Sequence, residues 1–157
     1  MRSMSASPRL TFDSNILIYA ADRDAGSRHA AAEALVARAA YADCVLTLQA
    51  LAEFFAVATR KKDVFAASAI AFVDGWQTLF KTVSATQETL RAAMHAVRDH
   101  RLGFWDAMLW AVAREAGCRY LLSENFQNGR VLEGVTVVNP FAPGGLPEEV
   151  ERALGDR

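Results

Sequence analysis

Residues 9–22 read RLTFDSNILIYAAD, a β-favouring start that gives way at Asp13 to an apolar helical run. The role of that carboxylate decides how the rest of the chain is read. Asp13, Ser14 and Asn15 all suit a helix N-terminus, because their side-chain oxygens accept from N–H groups that lack an intrahelical partner. A cap therefore explains Asp13 locally. The other reading makes Asp13 one wall of a metal site, and that reading needs further acids from distant parts of the chain.

Working outward, short β-like runs alternate with helical patterns. RLTF (9–12) is a first strand and SNILIYAAD its following helix. SRHAAAEALVARAAYA is a second helix with Ser27 as N-cap, rich in strong helix formers. CVLT (44–47) is a second strand, and LQALAEFFAVATRKK a helix whose cationic end suits its dipole. FAASAIAFVDGWQTL is helical, FKTV a third strand, and Ser84 and Gln87 have capping-box spacing before ETLRAAMHAVRDH. GFWDAMLWAVAREAG is a helix closed by Gly117. RYLLS and VTVVN are strands separated by ENFQNGRVLEG. FAPGG is a linker, and PEEVERAL a short helix with Pro147 at its first position. This alternation predicts an α/β fold, a mainly parallel sheet flanked by helices, in one domain over 1–157 with its core at about 9–141.

In parallel sheets, sites gather outside the carboxyl ends of the strands. Asp13 is immediately past strand one, Glu53 lies in the second turn after strand two, and Ser123, Glu124 and Asn125 follow strand four. Asp106 sits at the start of the helix that feeds strand four. A parallel strand begins at the opposite edge, so that helix must start at the carboxyl edge. Four separated polar positions converge there. Glu53 also fits a solvated stripe with Gln49 and Arg60, and SENFQNG also fits an ordinary turn. Asp106 resists such a reading. It stands in FWDAMLWAVA, apolar all round, and an unpaired buried carboxylate costs several kcal/mol, more than the ~0.3–1 kcal/mol a helix dipole returns. Trp105 and Trp110 read as core or subunit contacts, the three histidines as surface residues, and the basic clusters TRKK and RDHR as solvated helix ends, with RDHR bordering the Asp106 helix.

Composition narrows the class. The chain has 157 residues, 52% hydrophobic and 22% charged, with a net charge of −1. That length supports one buried core, and that balance supplies no global field for a polyanion. Cys44 and Cys118 lie in apolar contexts and read as reduced, buried thiols. Two cysteines and three histidines assemble no zinc pattern. The sequence MRSMSASPRL carries no apolar signal region, and no run reaches the ~18 apolar residues of a membrane span. A cytoplasmic protein without membrane contact is the expectation.

TFDSNILIYA, LTLQALAEFFAVATRK, FWDAMLWAVAREAGCRYLLSENFQNG and VTVVNPF resemble, in order, the blocks of the PIN-domain family, most strongly the VapC-type toxins of bacterial toxin–antitoxin pairs. The resemblance implies divalent-metal-dependent ribonuclease activity, a homodimer, and inhibition by a small antitoxin lying over the acidic edge. Residue by residue, Asp13, Glu53 and Asp106 match the three acids. Ser123 matches the hydroxyl that opens the fourth motif, and Asn15 a polar residue supporting the first acid. Asn125 departs from the pattern, because many relatives carry aspartate there; Glu124 beside it is the available substitute.

Oxygen ligands without Cys or His suit Mg²⁺ or Mn²⁺. Asp13 and Asp106 are the principal candidate ligands, with Glu53 as ligand or water-orienting base. Ser123, Glu124, Asn125 and Asn15 are the supporting contributors. Hydrolysis of RNA phosphodiesters is the function expected, with a weakly active or inactive RNA- or protein-binding module as the alternative. A nucleotide-binding Rossmann domain is disfavoured, since neither G-x-G-x-x-G nor a P-loop occurs. A receiver domain is disfavoured too, because no acid pair follows strand one.

Overall fold

The computed structural model describes residues 7–60 and 66–155. β1 (Arg9–Phe12) leads into α1 (Ser14–Ala21), and α2 (Ser27–Ala39) returns the chain to β2 (Val45–Thr47). α3 (Leu48–Arg60) and α4 (Ala66–Leu79) precede β3 (Lys81–Val83), followed by α5 (Gln87–His100) and α6 (Phe104–Glu115). β4 (Cys118–Leu122), β5 (Val131–Leu132), β6 (Val135–Val138) and α7 (Glu148–Leu154) complete it. The strands pair as β5-β6-β4-β1 and as β2-β3. A parallel bridge between Leu10 and Cys44 joins the two sets, so the order across the molecule is β3-β2-β1-β4-β6-β5. Among the described residues only the β5–β6 pairing is antiparallel.

This order has one consequence for function. The chain builds outward from β1 through β2 to β3, then crosses back to place β4 on the other side of β1. The reversal lies between β1 and β4, and a crevice forms at such a switch point beyond the carboxyl ends of the strands. From Leu10 onward the ladder is regular up to that edge: Phe12 stands opposite Leu122, Asp13 N–H donates to Leu122 O at 2.9 Å, and Ser123 N–H donates to Val138 O at 2.9 Å.

Strand alternation divides the apolar side chains between two helical layers. Leu10, Phe12, Tyr120 and Leu122 pack with α1, α2, α3, α4 and α7, whereas Leu121, Val135 and Val137 pack with α5 and α6. The runs Ile16–Ala21 and Phe54–Ala58, expected to leave apolar surface uncovered, are largely spent in the first core: Ile16, Leu17, Ala20, Phe54 and Ala58 are buried. Trp110 is core as expected, at 3% exposure, but Trp105 is not, at 63%.

Several local readings shift. The N-cap of α2 is Gly26, with a left-handed φ of 64°, and Ser27 is the first helical residue. The capping box before α5 is built by Thr86 and Thr89, not Ser84 and Gln87: Thr86 Oγ1 accepts Thr89 N–H at 3.2 Å and Thr89 Oγ1 accepts Thr86 N–H at 2.7 Å. β3 extends to Val83, so Ser84 and Ala85 are needed to leave the strand. Pro147 caps α7 from outside. The two-residue strand β5 was not anticipated; it turns into β6 through Glu133 and Gly134, both at positive φ, the conformation of a type I′ hairpin. Both cysteines are free and buried, and burial pushes the Cys118 thiol up to about 12. Among the described residues no helix is long and apolar enough to cross a membrane. Residues 61 and 62 of the TRKK cluster, the first six residues and the last two lie outside the described residues.

Thr11, two residues ahead of Asp13, is fully buried and its hydroxyl has no hydrogen-bond partner among the described residues. An unmatched buried hydroxyl costs about 1–3 kcal/mol, and valine keeps its shape. Thr11→Val is therefore expected to raise the unfolding free energy in urea by about 1 kcal/mol. A loss of similar size would mean that the hydroxyl is satisfied in solution.

Candidate active site

Asp13 follows β1 directly as the N-cap of α1, in extended backbone. Its Oδ1 accepts Ser14 N–H at 2.7 Å, so the capping role is real. Its Oδ2 accepts from Ser123 Oγ, also at 2.7 Å, and capping does not account for that bond. A serine hydroxyl has one proton and two lone pairs, and all are assigned here. Ser123 Oγ gives its proton to Asp13 and receives Asn15 Nδ2 at 3.3 Å and Asn125 N–H at 3.2 Å. Asn15 Oδ1 in turn takes Glu124 N–H at 3.4 Å. Asn15 thus buttresses the first acid through Ser123.

Glu53 reaches the same place from α3. Ser14 Oγ donates to its Oε2 at 2.9 Å and lies 3.5 Å from Asp13 Oδ1. Gln49, one turn earlier, donates from Nε2 to Glu53 Oε1 and to the backbone carbonyl of Trp105, each at 3.0 Å. The second bond ties α3 to the first turn of α6, where Asp106 stands half-buried. No hydrogen-bond donor or cation among the described residues reaches Asp106. Ser14 and Gln49 were not singled out from sequence as site residues, although their spacing, one residue after Asp13 and four before Glu53, was the available signal.

The remaining candidates separate. Glu124 is committed elsewhere: Tyr19 OH donates to it at 2.7 Å and Arg28 Nε at 2.6 Å. Burial pushes its carboxyl up, but those two bonds and the Arg28 charge outweigh burial and hold the carboxyl below its usual range. Asn125 is exposed and meets the cluster through its backbone N–H. In RDHR, Arg98 pairs with Asp99, whereas Arg101 ends α5 in the left-handed region with φ 57°.

Burial pushes the Asp13 carboxyl above its ordinary value, against the bonds from Ser123 and Ser14, and the charges of Glu53 and Asp106 push it further. Burial and then Glu53 raise Asp106. The three acids therefore sense one another and lack a compensating cation. Among the described residues no group of three His, Cys, Asp or Glu side chains stands ready to hold a metal ion. Repulsion and the Ser14 hydroxyl between Asp13 and Glu53 keep the acids apart. The donor chemistry nevertheless fits a hard divalent cation: oxygen atoms only, one carboxylate without a donor, and net charge that a cation would relieve.

The PIN-domain family model matches residues 10–128. The chain belongs to the PIN-domain family. Its fold is similar to that of a Klebsiella pneumoniae toxin–antitoxin complex chain, at 22% identity over 84% of this chain and 96% of that one, with a TM-score of 0.57. It is similar to VapC20 of Mycobacterium tuberculosis, a toxin that cleaves the sarcin–ricin loop, at 18% identity over 71% and 86%, with a TM-score of 0.60. A DNA-bound VapBC from Salmonella typhimurium gives 13% identity over 83% and 96%, with a TM-score of 0.61. No curated protein sequence matches the chain. The parallel sheet and flanking helices of this PIN domain agree with the expected fold class.

The raised carboxyls make a linkage prediction. A carboxyl raised on folding adds stability that is fully present below its ordinary value of 3.8 and is lost as pH rises through the raised value. Metal-free parent protein is therefore expected to gain urea stability as pH falls from about 7 towards that raised range. Asp106→Asn should show a smaller gain, and at neutral pH should equal or exceed the parent in stability. A clear loss of neutral-pH stability in Asp106→Asn would make Asp106 a structural cap rather than a strained site acid.

Proposed function

We propose that this PIN domain is a divalent-metal-dependent endoribonuclease, the toxin of a type II toxin–antitoxin pair. What supports the reading is the mutual charge influence among Asp13, Glu53 and Asp106 near the switch point of the sheet, with Asp13 Oδ2 held by Ser123. Asp13 and Asp106 would hold Mg²⁺ or Mn²⁺, with Glu53 at the edge of the ligand set. A bound divalent cation would neutralise charge on the phosphoryl oxygens and acidify a water molecule.

The chain's own groups do the rest. Ser123, held by Asn15, donates to Asp13 Oδ2 and so favours its ionised form against burial. Gln49 fixes Glu53 at Oε1, leaving Oε2, now on Ser14, as the atom that takes a proton from an attacking water. The water oxygen bonds to phosphorus as the P–O bond to the leaving sugar oxygen breaks, and solvent reprotonates that oxygen. Arg101, just ahead of α6, is available to a neighbouring phosphate. The toxin reading brings with it a small antitoxin whose arginine or lysine replaces the metal's charge, and a homodimer. Exposed Leu48, Ile70 and Leu79 offer apolar surface for such contacts.

Asn125 favours a second reading, a binding module of low activity, because it removes one anionic donor from the family pattern. Purified protein decides between them. Cleavage of RNA in Mn²⁺ or Mg²⁺, abolished by EDTA, is expected, and binding without cleavage selects the second reading. Asp13→Asn and Asp106→Asn should abolish cleavage while the fold survives, and Ser123→Ala should lower it roughly 10- to 100-fold, as loss of a ligand-orienting group does. Wild-type rates in Ser123→Ala would contradict the orienting role.

A further inference from the structure

A groove of about 650 Å³ runs from the acidic cluster between α3, α6 and the end of β3. Its volume falls within the ~300–1,000 Å³ of sites that take small organic groups. Leu48 and Ala52 from α3, Val83 from β3, and Trp105 and Met108 from α6 form its walls, and Gln49 and Glu53 belong to both groove and cluster. Trp105 is 63% exposed, although it adjoins Asp106 in the chain. Phe104 braces it edge-on, with ring centroids 4.9 Å apart, and Gln49 holds its carbonyl. An indole kept in water and fixed from behind offers a flat face to a ligand.

We propose that this groove receives an unpaired nucleobase of the RNA, with Trp105 as its stacking surface. The inference rests on the ribonuclease reading and adds to it a base-binding subsite beside the acids. A phosphodiester beside Asp13 and Asp106 has its neighbouring nucleotides within reach of the groove, because Glu53 lines both. The walls carry no cation, so a phosphate does not belong there; the flat apolar part of a nucleotide does. Thr47 and Ser84, also in the lining, present hydroxyls to a base edge. Stacking tolerates any base, and a base can enter only when splayed out of a helix.

The test pairs Trp105 variants with abasic oligoribonucleotides. In cleavage assays of the full chain with Mn²⁺, Trp105→Ala is expected to raise KM roughly tenfold, the loss of one stacked base, with kcat changed far less, and Trp105→Phe to restore most of it. In an Asp106→Asn background, where the oligonucleotide persists, anisotropy should show the same loss of affinity. Moving a single abasic site along the strand should reveal one position whose removal costs the parent this much and costs Trp105→Ala nothing further. Unchanged KM and affinity in Trp105→Ala, with the parent cleaving, overturn this inference alone; if the variant also loses a dimer, Trp105 is a subunit contact. A parent that neither binds nor cleaves RNA overturns the ribonuclease reading as well.

Discussion

The bond from Ser123 Oγ to Asp13 Oδ2, 2.7 Å long and buried, joins the ends of two strands that are 110 residues apart in sequence. It depends on the crossover that sets β4 beside β1, and the site depends on it in turn. Without that adjacency Asp13 is only a helix cap. With it, one carboxylate satisfies α1 through Oδ1 and takes the Ser123 hydroxyl through Oδ2, so a single residue ties the helix start to the end of β4. Asn15 and the Asn125 backbone complete the hydroxyl's bonding, leaving it one direction in which to give its proton.

Around this fixed point the charges are deliberately unbalanced. Asp13 and Asp106 are raised first by burial and then by neighbouring acids, Glu53 acting on both, while Glu124, next in sequence to Ser123, is paired with Tyr19 and Arg28. Arg28 also lies over the Phe141 ring, 5.4 Å from its centroid, which fastens that pair to the chain beyond β6. The same segment therefore supplies one residue to the acidic cluster and one to a closed surface network. Burial without compensation is costly.

Much of this was legible in sequence. The placement of Asp106 followed from direction alone: a helix feeding a parallel strand must start at the carboxyl edge. Asp13, Glu53 and Ser123 followed from their positions after strands one, two and four. What escaped reading were contacts between distant side chains. Gln49 looked like part of a solvated stripe, but its amide reaches Trp105 on another helix. Glu124 was left as a possible substitute ligand because its partner Tyr19 lies 105 residues away. Trp105 reads like Trp110 in sequence, yet α6 turns Phe104 and Trp105 to solvent and buries 107–113. The capping box lies two residues further on because Thr86 and Thr89 bond each other's backbone N–H, whereas Ser84 and Gln87 match only the spacing.

The central claim is that Asp13, Glu53 and Asp106 form one cation-seeking cluster, and metal-linked stability measures it without requiring catalysis. Equilibrium unfolding of the full chain in EDTA and in rising Mn²⁺ should show a midpoint that climbs with metal, as ligand binding to the folded state alone requires. The climb should be strongly reduced in Asp13→Asn and in Asp106→Asn, and retained in Glu124→Gln. A midpoint indifferent to Mn²⁺, or a climb that survives loss of both aspartates, would contradict the account.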